Sequence, residues 1–475
     1  MAKKKPRITL TDVLISGYAA EGKSIAKIDG KVIFITGAVP GDVADVLITK
    51  SKKDWAEGRA VEIKAPSANR VEPFCIHFGT CGGCKWQMLP YDQQLQYKQQ
   101  ETEDNLRKIS KTSIPPLLPI VGCDSTVFYR NKLEFTFSNK RFLTSEEMNK
   151  TEIQIQQNAL GYHVAGLFDK VLDISECWLM DGINNKLRNS IRDYALKNEL
   201  EFYDIRNHTG WLRNIIIRNC STGELMVNIC LNYEDEPGRI SLLDFILKSV
   251  PEITTLLYTI NPKFNDSIYD LEPQVYFGKG FVTEVLEGLK FIISPKSFFQ
   301  TNTRQAEKLY SITRDFAELK GNETLYDLYC GTGSIGIYLS RYVSKVIGVE
   351  VIDDAIKDAK KNAELNNITH THFFAGDVIK ICTNNFFEIH GRPDVIITDP
   401  PRAGMHEKLI NKLLEIEAPK IVYVSCNPAT QARDIGLLSE KYYVEKVQPV
   451  DMFPHTHHIE SVALLKLRNS QIQIN

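Results

Sequence analysis

The sequence predicts an α/β protein. A Rossmann-like, doubly wound domain is expected on the carboxyl side, behind an OB-like β-barrel and an α+β middle domain. Three observations predict this. From about residue 294, short apolar runs at 325–329, 345–350, 395–399 and 421–425 alternate with helical stretches near 353–365 and 405–415. That alternation is the pattern of a parallel sheet with helices on both faces. Residues 7–66 hold short β-rich runs separated by turns at Gly17, Asp29-Gly30 and Pro40-Gly41, the spacing of a small barrel. Residues 127–290 mix β-rich runs with helical stretches at 181–198 and 240–249, which reads as an antiparallel sheet with helices. The expected units are 1–68, 69–293 and 294–475, with a helix within about 91–125 that packs on the last of them.

Bulk properties narrow the function classes. The chain has 475 residues, 43% hydrophobic and 24% charged, with a net charge of −2. It has no apolar run long enough to span a membrane, and no signal-peptide stretch follows Met1. A cytoplasmic monomer with no membrane partner is expected. Residues 1–70 carry 13 Lys or Arg against 8 Asp or Glu, a modest basic footprint suited to phosphate contact or to plain solvation.

Asp327-Leu-Tyr-Cys-Gly331-Thr-Gly333-Ser-Ile-Gly336 follows one apolar run and opens a helix. Its glycines allow a tight turn and close approach of backbone to a ligand. Glu350 ends the next run, placed for ribose hydroxyls; Asp377 follows a third, placed for an adenine amino group; Asp399-Pro-Pro-Arg402 ends a fourth. Ligands of such sheets sit outside the carboxyl ends of the strands, so these groups converge on one crevice. NAD is the rival ligand, but Asp-Pro-Pro downstream favours S-adenosylmethionine.

Ser425-Cys426-Asn427-Pro428 lies where the run 421–425 ends, so Cys426 faces the crevice instead of the core. A thiol there suits covalent activation of a pyrimidine: it adds to carbon 6, carbon 5 becomes nucleophilic, and a base later removes the carbon 5 proton. On this reading a few per cent of the thiol is already thiolate near neutral pH. Glu460, behind His455, His457 and His458, is the candidate base; a metal site or a solvated turn are alternatives for that stretch taken alone.

Asp399-Pro-Pro-Arg402, Ser425-Cys426-Asn-Pro428, His457-His-Ile-Glu460 and Ser297-Phe-Phe-Gln300-Thr-Asn302, in their order along the chain, resemble the RNA (uracil-5-)-methyltransferases over nearly the whole length. The likeness is greatest to the bacterial 23S rRNA enzymes, which join a TRAM barrel to an iron–sulfur middle domain. The resemblance implies Cys426 as nucleophile and Glu460 as proton acceptor. It implies donor contacts from Gln300, Tyr329, Gly331, Gly333, Ser334, Glu350, Asp377 and Asp399. 23S rRNA is the expected partner and DNA is not; a tRNA uracil-5 enzyme and a non-catalytic RNA-binding factor are the competing readings.

Cys75, Cys81 and Cys84, with Gly82-Gly83 between the last two, form a tight thiol cluster that needs a fourth ligand. The resemblance supplies Cys177 and a 4Fe–4S cluster, although spacing alone equally admits zinc. Cys123, Cys220, Cys230, Cys330 and Cys382 read as core or near-core residues. Arg402 and Gln300 are candidates for the uracil pocket. Arg130 to Lys132 and Arg213 to Arg218 are candidates for gripping the flanking strand.

Overall fold

The computed structural model describes residues 8–148 and 156–468. The terminal run Met1–Arg7, part of the basic footprint, lies outside the described residues.

The amino-terminal unit is a curled six-stranded sheet with strands Thr9–Leu14, Gly17–Tyr18, Ser24–Ile28, Lys31–Thr36, Val43–Ser51 and Trp55–Ala65. Its two edge strands are consecutive in the chain. The link between them bonds both ways, Ile15 N to Asp42 O and Ser16 N to Ile25 O, so the sheet curls round on itself over a core of Val13, Ile33, Ile35 and Val46. Alternate buried positions along Lys31–Thr36 and Val43–Ser51 are what a one-faced sheet requires. Asp42, fully buried, closes the unit by accepting from Val39 N, Ser67 N and Arg70.

The middle sheet has seven strands and is mixed, not purely antiparallel as the sequence suggests. Leu225–Leu231 and Thr255–Ile260 run parallel, joined by the helix Glu236–Ser249. A crossover helix permits that sense, and apolar runs alone do not encode direction. The helix expected within 91–125 spans only Tyr91–Ile109. Lys111 takes a left-handed φ of 55°, and Pro115-Pro116 cannot continue the helix. The remainder still docks on the catalytic sheet in extended form, with Leu118 N to Val447 O and Val121 N to Pro449 O.

The carboxyl unit is the expected α/β sheet with one correction to the all-parallel reading. Its strand order is Thr371–Ala375, Lys345–Glu350, Thr324–Leu328, Val395–Thr398, Lys420–Ser425, Glu460–Leu467, Tyr442–Val450. The first five are parallel, and Glu460–Leu467 is antiparallel to both its neighbours. Strand Lys420–Ser425 is buried almost throughout and sits between two hydrophobic layers of the same domain. Among the described residues no helix is long and apolar enough to cross a membrane.

Candidate active site

The antiparallel last strand decides the site. Ser425 pairs with Ser461, so one step further Cys426 at the exit of its strand stands opposite Glu460 at the start of the other. Leu328 pairs with Thr398, which brings Asp399 to the same end of the sheet. Cys426, Glu460 and Asp399 therefore share one crevice.

Their charges interact strongly. Cys426 is half-buried, and burial together with Glu460 and Asp399 pushes its thiol up to about 12, against which Arg402 and a backbone hydrogen bond pull. Burial pushes Asp399 up to about 7. Burial and Asp399 hold Glu460 well above the carboxylate range, with Arg402 again opposing. The expectation of a ready thiolate near neutral pH is thus corrected: with donor and RNA absent, burial and two acids favour the neutral thiol. The histidines do not relieve it. Burial lowers His455, His457 and His458 to about 4, 4 and 3, so none supplies a cation at neutral pH.

The loop between Thr324–Leu328 and the helix Ser334–Leu339 forms the adjoining half of the crevice. Gly333 has φ 78°, and a Cβ there would meet Phe373, Ala359 and Ile337 at 3.0–3.1 Å, so the position requires glycine on both counts. Tyr329 adopts φ 63° without being glycine, a conformation that costs about 1–3 kcal/mol. Glu350 shapes the loop by accepting from Gly331 N at 3.2 Å and Ile352 N at 3.0 Å. Asp327, which the sequence reading did not place in the site, is buried beneath it and accepts from Gly336 N at 2.8 Å; burial and the nearby Asp399 and Glu350 push it up to about 8. Ser334 shares a 2.8 Å hydrogen bond with Tyr310. Asp377 is exposed and caps a short helix through Ile379 N. Gln300 is buried, next to Phe299 and Asn302.

The loop 451–459 carrying the approach to Glu460 is anchored by residues that sequence reading missed. Lys98 and Asp451 form an ion pair of 2.6 Å with both side chains fully buried, and Tyr91 donates to the other oxygen of Asp451 at 2.8 Å. Breaking such a pair from one side costs about 3–5 kcal/mol. Gln94, also fully buried, accepts from His455 N, meets His455 Nδ1, and donates to Trp86 O and Leu89 O. Lys85 N and Trp86 N in turn donate to His455 O, which ties the loop to the chain leaving Cys84. His455 has φ 63°, so this bonding holds a strained residue in place.

Cys75, Cys81, Cys84 and Cys177 line one cavity of about 450 Å³ between the middle sheet and the catalytic loop. Gly82 is required there, since a Cβ would meet His163 O at 2.7 Å. Among the described residues no three or more His, Cys, Asp or Glu side chains converge closely enough to hold a metal ion.

An acid-lined crevice beside a glycine loop at the carboxyl ends of a doubly wound sheet defines the class: an S-adenosylmethionine-dependent methyltransferase. Comparison with known proteins gives the family. Residues 272–468 match the tRNA (Uracil-5-)-methyltransferase family and residues 9–61 match the TRAM domain. A Bacteroides thetaiotaomicron protein described as an uncharacterized RNA methyltransferase is 55% identical over 95% of this chain and 100% of its own length. A Porphyromonas gingivalis protein of the same description is 48% identical over 96% and 100%. Among solved structures, Pyrococcus abyssi tRNA (uracil-54, C5)-methyltransferase in complex with S-adenosyl-L-homocysteine superposes with a TM-score of 0.73 at 26% identity, covering 96% of this chain and 100% of its own. The chain belongs to the RNA (uracil-5-)-methyltransferase family.

Proposed function

We propose that the protein methylates carbon 5 of a uridine in 23S rRNA, with Cys426 as nucleophile and Glu460 as proton acceptor. The observation that carries this is the register that sets the two side chains opposite each other in the donor crevice.

Cys426 Sγ, once deprotonated, adds to carbon 6 of the uracil, and the ring electrons move toward carbon 5 and the carbon 4 carbonyl. S-adenosylmethionine supplies the methyl group that carbon 5 takes up. Glu460 removes the carbon 5 proton, the ring double bond re-forms, and Sγ leaves. Arg402 is the cation that favours thiolate and carboxylate here. Gln300, Tyr329, Gly331, Gly333, Ser334, Glu350, Asp377 and Asp399 hold the donor on this reading. A target base in folded RNA must leave its stack to reach Sγ.

The resemblance of the cysteine segment to that of the bacterial 23S rRNA enzymes supports rRNA as substrate. A tRNA substrate is the second reading, favoured by the match of the Pyrococcus abyssi tRNA enzyme over 96% of this chain, barrel and middle sheet included. Transcripts of 23S rRNA and of tRNA, each tritiated at uracil carbon 5, separate the two. Tritium release equal to methyl incorporation is expected from rRNA; release from tRNA alone moves the substrate, and methylation without release sinks the carbon 5 chemistry.

The four cysteines fit a 4Fe–4S cluster. All four line one cavity, and a cluster takes each thiolate on a separate iron. Protein purified without oxygen should carry about four irons and matching acid-labile sulfide, lost in Cys177→Ser. Stoichiometric zinc in their place would overturn the cluster.

A further inference from the structure

The same cavity is lined by a second set of groups that the methylation chemistry does not use: Lys132, Arg218 and Arg130. Strand register brings the first two together, because Arg218 pairs directly with Lys132 across the antiparallel strands Leu212–Asn219 and Lys132–Ser138. Arg130 turns back onto them, its Nε donating to Lys132 O at 3.0 Å. Like charges placed opposite each other on a sheet are unfavourable. Burial, and then Arg218, lower the pKa of Lys132, which shows how closely the two cations crowd.

Among the described residues no carboxylate forms an ion pair with them, although Glu134 and Glu176 line the same cavity and Glu134 acts on Lys132. None of the three has a salt-bridge partner among the described residues. The acids they sense at longer range are Glu134 and Glu284. Glu284 is already committed, accepting from Ser221, Val285 N and Thr303. Arg218 is 2% exposed, yet its guanidinium makes only a 3.5 Å contact to Ser297 O, and its Nη1 has no partner. A buried guanidinium left this way carries a desolvation penalty that a bound anion would remove. Tyr269, 64% exposed, lines the same cavity and offers a ring face for a base.

We infer that Arg218, Lys132 and Arg130 form a pocket for one backbone phosphate of the RNA strand beside the target uridine. The inference rests on the RNA-methylating reading for its ligand, and on the unpaired cations for its place. The pocket positions the strand and reads no base, since a phosphate is common to every nucleotide.

The test is the salt dependence of RNA binding by the full-length protein, with a fluorescent twelve-nucleotide oligouridylate as probe. Each phosphate neutralised on a single strand contributes about −0.7 to the slope of log affinity against log salt. Arg218→Gln and Lys132→Gln should each make the slope shallower by about that amount, and weaken binding about fivefold near 0.1 M salt. Arg218→Lys should restore the slope. S-adenosylmethionine affinity serves as the folding check; if Arg218→Gln fails it, Lys132→Gln on the half-buried rim decides. An unchanged slope in correctly folded variants overturns the pocket, as does loss of iron without change of slope, which would make these cations partners of the metal centre. The assay needs no turnover. A shallower slope with no methylation would remove the proposed chemistry and keep the pocket, while methylation with an unchanged slope would do the reverse.

Discussion

Cys426→Ala should abolish methyl transfer and tritium release together, by about four orders of magnitude or more, while S-adenosylmethionine binding stays intact. Carbon 5 of uracil is a weak nucleophile until carbon 6 carries a thioether, and no other thiol joins Cys426 at the strand exit opposite Glu460 among the described residues. The parent enzyme should show the same group in its pH dependence. With the free thiol pushed up to about 12, the thiolate fraction grows roughly tenfold per pH unit below that value. Alkylation of Cys426 by iodoacetamide in the free protein should therefore rise about a hundredfold between about pH 7 and pH 9 without a plateau. A plateau near neutrality would mean that burial and the acids beside it do not hold the thiol up. Transfer by Cys426→Ala within about tenfold of the parent would remove the covalent route altogether.

Glu460→Gln should separate the two halves of the reaction. Addition and methylation need only the thiol, so a first methyl group can be transferred. The adduct then cannot resolve, because the carbon 5 proton has no acceptor. A protein–RNA species that survives denaturing electrophoresis should accumulate, with turnover and tritium release lowered by about 10²- to 10⁴-fold. The same substitution removes an acid that holds the Cys426 thiol up, so iodoacetamide should react faster with this variant than with the parent. Faster alkylation with slower catalysis is a combination that misfolding does not produce. Tritium release at the parental rate would place the base elsewhere in the crevice.

Glu350, Asp399 and Cys426 could be read from sequence because each sits at the exit of an apolar run, and strand exits are where a doubly wound sheet gathers ligands. The direction of the last strand could not be read, because 460–467 is apolar and period-free, equally compatible with either sense. The register that pairs Cys426 with Glu460 depends on that direction, so the sequence suggested both residues without the contact between them. The clamp was hidden for another reason. Helix Tyr91–Ile109 was expected to pack on the catalytic domain, but its Gln, Lys, Glu and Asp give no apolar stripe to show which face does so, and Gln94, Lys98 and Thr102 are fully buried. For Gln94 and Lys98, partners some 350 to 360 residues away help to make that burial tolerable. The state of the Cys426 thiol was misjudged for the same cause: residue type gives an ordinary thiol, whereas burial beside two acids comes from chain segments far apart.

That separation has a consequence for the order in which the protein matures. Gln94 and His455 lie 361 positions apart, so the clamp is made early in synthesis and the loop it grips arrives near the end. Domains fold largely as they emerge, and closing so distant a contact is slow. The glycine loop can therefore take shape while the base loop still waits for its anchor. Competence to bind the donor precedes competence to methylate, and a nascent chain passes through a stage in which it can hold the reagent without being able to spend it on RNA.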